Sequence, residues 1–158
     1  MTTTAKFQAC WKLLLLNEGG YTVDNGGATR YGVTARVAYK WGYRGAMQDL
    51  PEATAMAIAE QEYWQPFGCE LYPTPIAFQI LDTAYNGGHP IQWLQEIVGG
   101  KQLGQDLADV IGFVNPWEVV ARFNAKRLRY LASLKQPQYA NGRMNRISGN
   151  LEQGALHE

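Results

Sequence analysis

Hydrophobic residues near the start of the chain recur at helical spacing. Phe7, Trp11, Leu14 and Leu15 follow the i, i+4, i+7, i+8 pattern of an amphipathic helix. The pattern predicts a helix over about residues 4–18, which ends where two consecutive glycines follow.

A small β-structure is predicted directly after this helix. Polar and apolar residues alternate over residues 21–33, as they do in short strands. Asn25-Gly26 is a two-residue hairpin signal, because both central residues of such a turn favour positive φ. Thr34 can then cap a short helix over residues 35–41.

Capping residues, prolines and glycine pairs divide the rest of the chain into helices. They are predicted at about residues 51–64, 74–87, 90–99, 105–113, 116–136 and 141–147. Residues 151–158 have no pattern and are predicted to be a frayed tail. No internal repeat or linker interrupts the chain. The sequence therefore predicts one compact, mainly helical domain over residues 1–158, with one β-hairpin after the first helix.

Composition narrows the possible functions. A chain of 158 residues that is 46% hydrophobic fits a single globular domain with a real core. Its formal net charge is zero, which argues against a general attraction to nucleic acid or to an anionic membrane. No stretch approaches the ~20 apolar residues of a membrane span, and no signal peptide is recognised. We therefore expect neither a nucleic-acid partner nor stable membrane insertion.

Charge is nevertheless uneven along the chain. Residues 119–150 carry seven cations and no acid. This segment is either a solvated helix face with arginine stems packed on the core, or a surface that meets an anionic polymer. A nucleic-acid surface is less favoured, because no recognition motif accompanies the cations.

Cysteine and histidine usage predicts neither a disulfide framework nor a metal site. Cys10 and Cys69 lie in apolar surroundings, which favours buried free thiols. His89 and His157 belong to no Cys/His cluster. We expect the protein to need no cofactor.

Glu18 is unusual among the 14 acidic residues. It lies at the C-terminal end of its helix, where the helix dipole disfavours a negative charge. Leu14 and Leu15 predict an apolar floor beneath it. Both effects would keep the carboxyl group protonated near neutral pH, as acid-assisted glycoside cleavage requires. The alternative is a solvent-facing acid that tolerates a small dipole penalty.

Two further residues could assist Glu18. Asp24 lies in the predicted turn, where aspartate before Asn-Gly is also common for conformational reasons alone. A hairpin folded back over the helix end would carry Asp24 and Thr29 toward Glu18. That arrangement would supply a second carboxylate and a hydroxyl that holds a water.

Other candidates line the predicted groove. Gln79, Asp82 and Asn86 fall at i, i+3 and i+7, so they share one helix face. This face is either the solvated side of the helix or a groove wall rich in hydrogen-bonding groups. Tyr31 and Tyr85 are either sugar-stacking platforms or residues at the edge of the core.

These residues also lie in motifs that resemble a known family. EGGY at 18–21 and GGATRYGVT at 26–34 resemble the opening signature of glycoside hydrolase family 108, the N-acetylmuramidases found among phage endolysins and secretion-associated muramidases. Further resemblances are YW at 63–64, ILDTAYNGG at 80–88, WLQ at 93–95 and YANGRMNR at 139–146. Here the turn that carries Asp24 is shorter than the family's, and Arg143 stands where the family usually has Trp.

The resemblance implies a lysozyme-like α+β fold, with a catalytic helix–hairpin lobe over residues 1–72. Residues 73–148 would form a helical lobe that resembles a peptidoglycan-binding half. It also implies that Glu18 is the catalytic acid in cleavage of the β-1,4 bond between N-acetylmuramic acid and N-acetylglucosamine.

The expected partner is the peptidoglycan glycan strand, bound by a monomer. We expect a phage endolysin that is made in the host cytoplasm and reaches the wall, in the periplasm, after holin-type release. A non-catalytic wall-binding module, a lytic transglycosylase and a secretion-associated muramidase stay open as alternatives.

Overall fold

The computed structural model describes residues 3–154. Helix α1 spans Ala5–Asn17. The side chain of Thr4 caps it by accepting a hydrogen bond from the backbone N–H of Phe7, at 3.1 Å. Glu18 is the residue at which the backbone leaves the helix. The predicted first helix is therefore confirmed, with its end where the sequence placed it.

Three short antiparallel strands follow α1 in the order β1-β2-β3. They are β1 (Thr22–Asp24), β2 (Gly27–Arg30) and β3 (Val33–Thr34). Asp24 pairs with Gly27, so Asn25-Gly26 form the turn, as predicted. The positive φ falls on Gly27, at +103°, rather than on the two turn residues, so the expected turn geometry is wrong. Strand β3 is an addition to the single predicted hairpin.

Helices make up most of the remaining structure. They are α2 (Ala35–Lys40), α3 (Glu52–Ala59), α4 (Thr74–Asn86), α5 (Pro90–Val98), α6 (Gly104–Ile111), α7 (Pro116–Ser133) and α8 (Ala140–Gly154). A π-helical turn, Glu60–Trp64, continues α3, and 3-10 turns lie at Met47–Asp49, Cys69–Leu71 and Pro137–Tyr139. The mainly helical α+β fold is confirmed. Within residues 3–154, no helix combines the length and the hydropathy needed to cross a lipid bilayer.

The hydrophobic core joins the first helix to the central ones. Helix α1 packs against α4, and α7 packs against both α4 and α5. Phe7 on α1, Phe78 on α4 and Phe123 on α7 are buried, and removal of such apolar surface from water is the main stabilising term. Cys10 and Cys69 are buried free thiols, as predicted. Burial raises the pKa of Cys10 to about 12, so this thiol stays protonated.

The C-terminal helix differs most from the prediction. Helix α8 continues to Gly154, whereas the sequence predicted a short helix over 141–147 and a frayed tail over 151–158. The frayed tail is thus wrong for residues 151–154, and residues 155–158 lie outside the described part. The inner face of α8 buries Ile147 and Asn150. Because much of that face is polar, its burial leaves little hydrophobic pattern in the sequence.

Candidate active site

Glu18 lies where α1 ends and the chain turns into the sheet. Its backbone N–H still donates to the carbonyl of Leu14 at 2.9 Å, while its φ of −101° and ψ of 99° are extended. The side chain is only 16% exposed. The carboxyl group is therefore held in a recess and reaches solvent through a small opening.

Gly32 forms one wall of this recess. A Cβ atom added to Gly32 would lie 3.0 Å from Glu18 Oε2 and 2.5 Å from Tyr85 Cε1. The residue also has a φ of +77°, a conformation that side chains other than glycine rarely adopt. Glycine here lets the turn between β2 and β3 approach both side chains closely.

Two hydrogen bonds hold this turn in place. The backbone N–H of Tyr31 donates to the carbonyl of Gly19 at 3.2 Å, and the Tyr85 hydroxyl donates to the carbonyl of Tyr31 at 2.7 Å. The Tyr63 and Tyr85 rings pack with their centroids 5.0 Å apart. Burial, reinforced by the nearby Glu18 carboxylate, raises the pKa of Tyr85 far above its usual range, so its hydroxyl stays a neutral donor. The Tyr85 side chain thus meets the backbone of Tyr31 beside the Glu18 recess, and a role of either tyrosine in sugar binding stays a prediction.

Arg146 on α8 supplies the positive partner of Glu18. Its Nη2 donates to Glu18 Oε1 at 2.5 Å and to Asp82 Oδ1 at 3.0 Å. Its Nε lies 3.1 and 3.2 Å from the two oxygens of Asp82. Burial lowers the pKa of Arg146, but Asp82 and Glu18 outweigh that effect and raise it, so the guanidinium stays charged. The sequence did not predict this cation, which meets one oxygen of Glu18 in addition to the expected apolar floor, where Leu14 is buried.

Asp82 is the centre of a buried polar network. It is 0% exposed and accepts from Arg127 Nη1 at 2.6 Å and Asn150 Nδ2 at 2.8 Å, besides Arg146. Asn17 Nδ2 reaches Asp82 at 3.3 Å and Asn150 Oδ1 at 2.7 Å. Burial alone would raise the pKa of Asp82, but the two guanidinium groups outweigh it and lower it. The network therefore ties α1, α4, α7 and α8 together.

The polar stripe on α4 does not form a groove wall. Gln79 is 1% exposed and accepts a hydrogen bond from Asn124 Nδ2 at 3.1 Å. With Asp82 also buried, the expectation that these two residues face a groove is wrong, because both satisfy polar side chains of α7 and α8. Asn86 is exposed at the end of the stripe, and its Nδ2 donates to the Asp82 carbonyl at 2.8 Å. Asn86 therefore stays a candidate for substrate binding.

Asp24 and Thr29 lie on the sheet beside the recess. Asp24 is exposed, and its Oδ1 accepts from the Gly26 N–H at 2.8 Å, which is a turn-stabilising bond. Across residues 3–154, no hydrogen bond connects either side chain to Glu18. The half-buried Thr29 hydroxyl bonds to no protein group in that range and is open to a water or a substrate. The catalytic roles of Asp24 and Thr29 stay predictions.

The basic segment 119–150 divides between the interior and the surface. Arg127 and Arg146 turn inward to Asp82, while Lys126 pairs with Glu96 at 2.8 Å on the surface. Sequence reasoning missed the inward pair. The absence of acids from residues 119–150 could have indicated this pair. A buried arginine needs a negative partner, and in this segment that partner has to come from another part of the chain. Considering only the described residues, no three His, Cys, Asp or Glu side chains group as metal ligands would.

Comparisons with known proteins support the family resemblance that the sequence motifs indicate. The family described as glycosyl hydrolase 108 matches residues 11–88, a segment that contains Glu18, Tyr31 and Tyr85, and this confirms the resemblance over those residues. The solved structure of Brucella abortus SagA superposes with a TM-score of 0.82 at 22% identity. The alignment covers 98% of this chain and 97% of that chain, so the two share a fold from end to end. No curated protein matches the chain.

Proposed function

Because residues 11–88 belong to the glycosyl hydrolase 108 family, we propose that the protein hydrolyses the β-1,4 bond between N-acetylmuramic acid and N-acetylglucosamine in peptidoglycan. One observation carries the proposal: the matched segment places a glutamate, Glu18, in a recess that is closed by Gly32 and Tyr85 and still reaches solvent. An acid held in this way can meet a glycosidic oxygen while bulk water is largely kept from it.

In the proposed reaction Glu18 is the catalytic acid. It transfers its proton to the glycosidic oxygen as the bond from that oxygen to C1 of the muramic acid breaks. A water attacks C1, and the proton that this water loses returns through solvent to Glu18. The Thr29 hydroxyl would orient this water, because no protein group in the described range occupies it. Asp24 would act as the second carboxylate only after its turn moves over Glu18, since its Oδ1 is bound to the Gly26 N–H.

Arg146 sets a condition on this reaction. Its Nη2 lies 2.5 Å from Glu18 Oε1, whereas a catalytic acid needs its carboxyl group free to meet the substrate. Substrate must therefore separate Arg146 Nη2 from Glu18. Asp82 makes this step feasible, because it binds both Nε and Nη2 and can retain the guanidinium when Glu18 is released.

Digestion of purified peptidoglycan sacculi, followed by mass spectrometry of the products, tests the proposal. Reducing N-acetylmuramic acid ends are the expected result. Anhydro-muramic ends would instead identify a lytic transglycosylase, and reducing N-acetylglucosamine ends would place the cleavage at the other bond of the repeat. Chitin oligosaccharides serve as a parallel substrate, because they share the N-acetylglucosamine backbone without the muramic acid side chain.

A wall-binding module without activity is the second candidate. The observation in its favour is the ion pair between Glu18 and Arg146, which occupies one oxygen of the proposed acid. Sedimentation with insoluble sacculi, paired with release of soluble fragments, separates the two. Binding without release of fragments supports the module, whereas release supports the hydrolase.

For the biological setting we propose cell lysis by a phage endolysin. The support is the resemblance of the motifs at 18–34 to enzymes that include phage endolysins. The protein would act as a monomer on the wall after holin-type release from the host cytoplasm. Co-expression with a holin should produce lysis, and expression without a holin should not.

A further inference from the structure

A cavity of about 180 Å³ lies between the end of α4 and helices α7 and α8. Its polar lining includes Asn86, Tyr130, Arg143 and Arg146. Among the described residues, no acidic side chain lines it. The cavity is adjacent to the candidate active site, because Arg146 borders it and also contacts Glu18.

Two arginines that line this cavity have N–H groups that make no hydrogen bond to the described part of the protein. Arg143 and Arg146 are three residues apart on α8, so they share one helix face. Arg143 Nη2 donates to the neutral oxygen of Gln136 at 2.6 Å, and its remaining N–H groups have no protein acceptor within residues 3–154. Arg146 uses Nε and Nη2 for Asp82 and Glu18, which leaves its Nη1 free in the same range.

The balance of charge around the cavity is positive. Three arginines border it, at positions 127, 143 and 146, and two of them are neutralised by Asp82 and Glu18. The third, Arg143, has no carboxylate within ion-pair distance in the described part of the chain. A planar guanidinium with free N–H groups is well matched to a carboxylate, which accepts two parallel hydrogen bonds.

We propose that this cavity binds a carboxylate of the peptidoglycan chain, with Arg143 as its principal ligand. The identity of this polymer rests on the proposed function. The sugar rings of peptidoglycan are uncharged, and its carboxylates are carried by the lactyl group of N-acetylmuramic acid or by the peptide attached to it. Because Arg146 borders the cavity and also contacts Glu18, the cavity lies close enough to Glu18 to receive this substituent of a muramic acid residue bound there.

The test compares wild type with Arg143→Gln on three forms of sacculi. Native sacculi carry peptide carboxylates, sacculi stripped by an amidase carry lactyl carboxylates, and sacculi converted to methylamides carry neither. The readouts are the Kd from sedimentation and the KM for fragment release. Arg143→Gln should weaken binding and raise KM about tenfold on a carboxylate-bearing form, with little change in kcat, because a charge-assisted hydrogen bond is lost. On the methylamide form the two proteins should be equal.

Arg129→Gln is the matched control. It removes the same charge from an exposed position on α7 that does not line the cavity, and it should bind all three forms as wild type does. The sacculi to which Arg143→Gln binds more weakly than wild type identify the carboxylate. A defect on native sacculi indicates a peptide carboxylate, and a defect on stripped sacculi indicates the lactyl carboxylate. Equal Kd and KM for wild type and Arg143→Gln on both carboxylate-bearing forms would overturn the inference. Carboxylate-dependent binding without cleavage would refute only the proposed function, and cleavage that is indifferent to Arg143 would refute only the inference.

Discussion

Arg146 binds Glu18 and Asp82 at the same time, with its Nη2 2.5 Å from Glu18 Oε1 and 3.0 Å from Asp82 Oδ1. One arginine on the C-terminal helix thus joins the end of α1 to the middle of α4. Of the two carboxylates, Asp82 is fully buried and Glu18 reaches solvent. The two acids therefore differ in accessibility: Asp82 ties the helices together inside the protein, and Glu18 is the one that solvent reaches.

Asp82→Asn should destabilise the fold strongly. The change keeps the shape of the side chain but leaves Arg127 and Arg146 without their shared counter-charge. Removing one partner of a buried ion pair typically costs about 3–5 kcal/mol. Urea denaturation followed by circular dichroism measures the free energy of unfolding. Glu96→Gln, which breaks the surface pair with Lys126, is the control and should cost less than about 1 kcal/mol. Equal losses in the two variants would contradict a structural role for Asp82.

The same network predicts loss of stability in acid. Burial alone would raise the pKa of Asp82, but Arg127 and Arg146 outweigh it and hold that pKa below its ordinary value of 3.8. A carboxylate with a lowered pKa contributes its full stabilisation above the ordinary pKa and loses it as the pH falls through the lowered one. The free energy of unfolding should therefore fall more steeply in wild type than in Asp82→Asn as the pH drops below about 4. Parallel curves for the two proteins over that range would show that Asp82 is not the responsible group.

Gly32→Ala should lower activity more than the same glycine-to-alanine change in a helix. The new Cβ would lie 2.5 Å from Tyr85 Cε1 and 3.0 Å from Glu18 Oε2, and the positive φ costs a further 1–2 kcal/mol, roughly. Displacement of a catalytic group by about 1 Å can lower the rate about a hundredfold. Gly142→Ala on α8, where an added Cβ has no atom within 4 Å, is the control. The measurement is the rate of fragment release from sacculi, and equal rates for both variants would argue against close packing around Glu18.

The elements that the sequence predicted best are those with local signals. Thr4, Asn25-Gly26 and Thr34 mark a helix start, a turn and a second helix start, and all three lie where expected. Glu18 could be singled out because an acid at the C-terminal end of a helix is locally unfavourable. Each of these signals depends on residues only a few positions apart.

The polar network could not be predicted in the same way. The spacing of Gln79, Asp82 and Asn86 shows that they share a helix face, but not whether water or another side chain lies opposite. The partners of Asp82 follow it by 45 residues at Arg127 and by 64 residues at Arg146. A buried face that satisfies polar groups has the same sequence pattern as a solvated one, and this is also why the full length of α8 was missed.

Glu18→Gln is the decisive variant for the proposal that Glu18 is the catalytic acid. Glutamine keeps an oxygen that can accept from Arg146 and has nearly the same shape, but it cannot supply the proton. The measurement is the rate at which purified sacculi release soluble fragments, with circular dichroism and sedimentation as checks on folding and wall binding. We predict a folded variant that binds the wall and is at least about a hundredfold slower than wild type. A rate close to that of wild type would contradict the assignment.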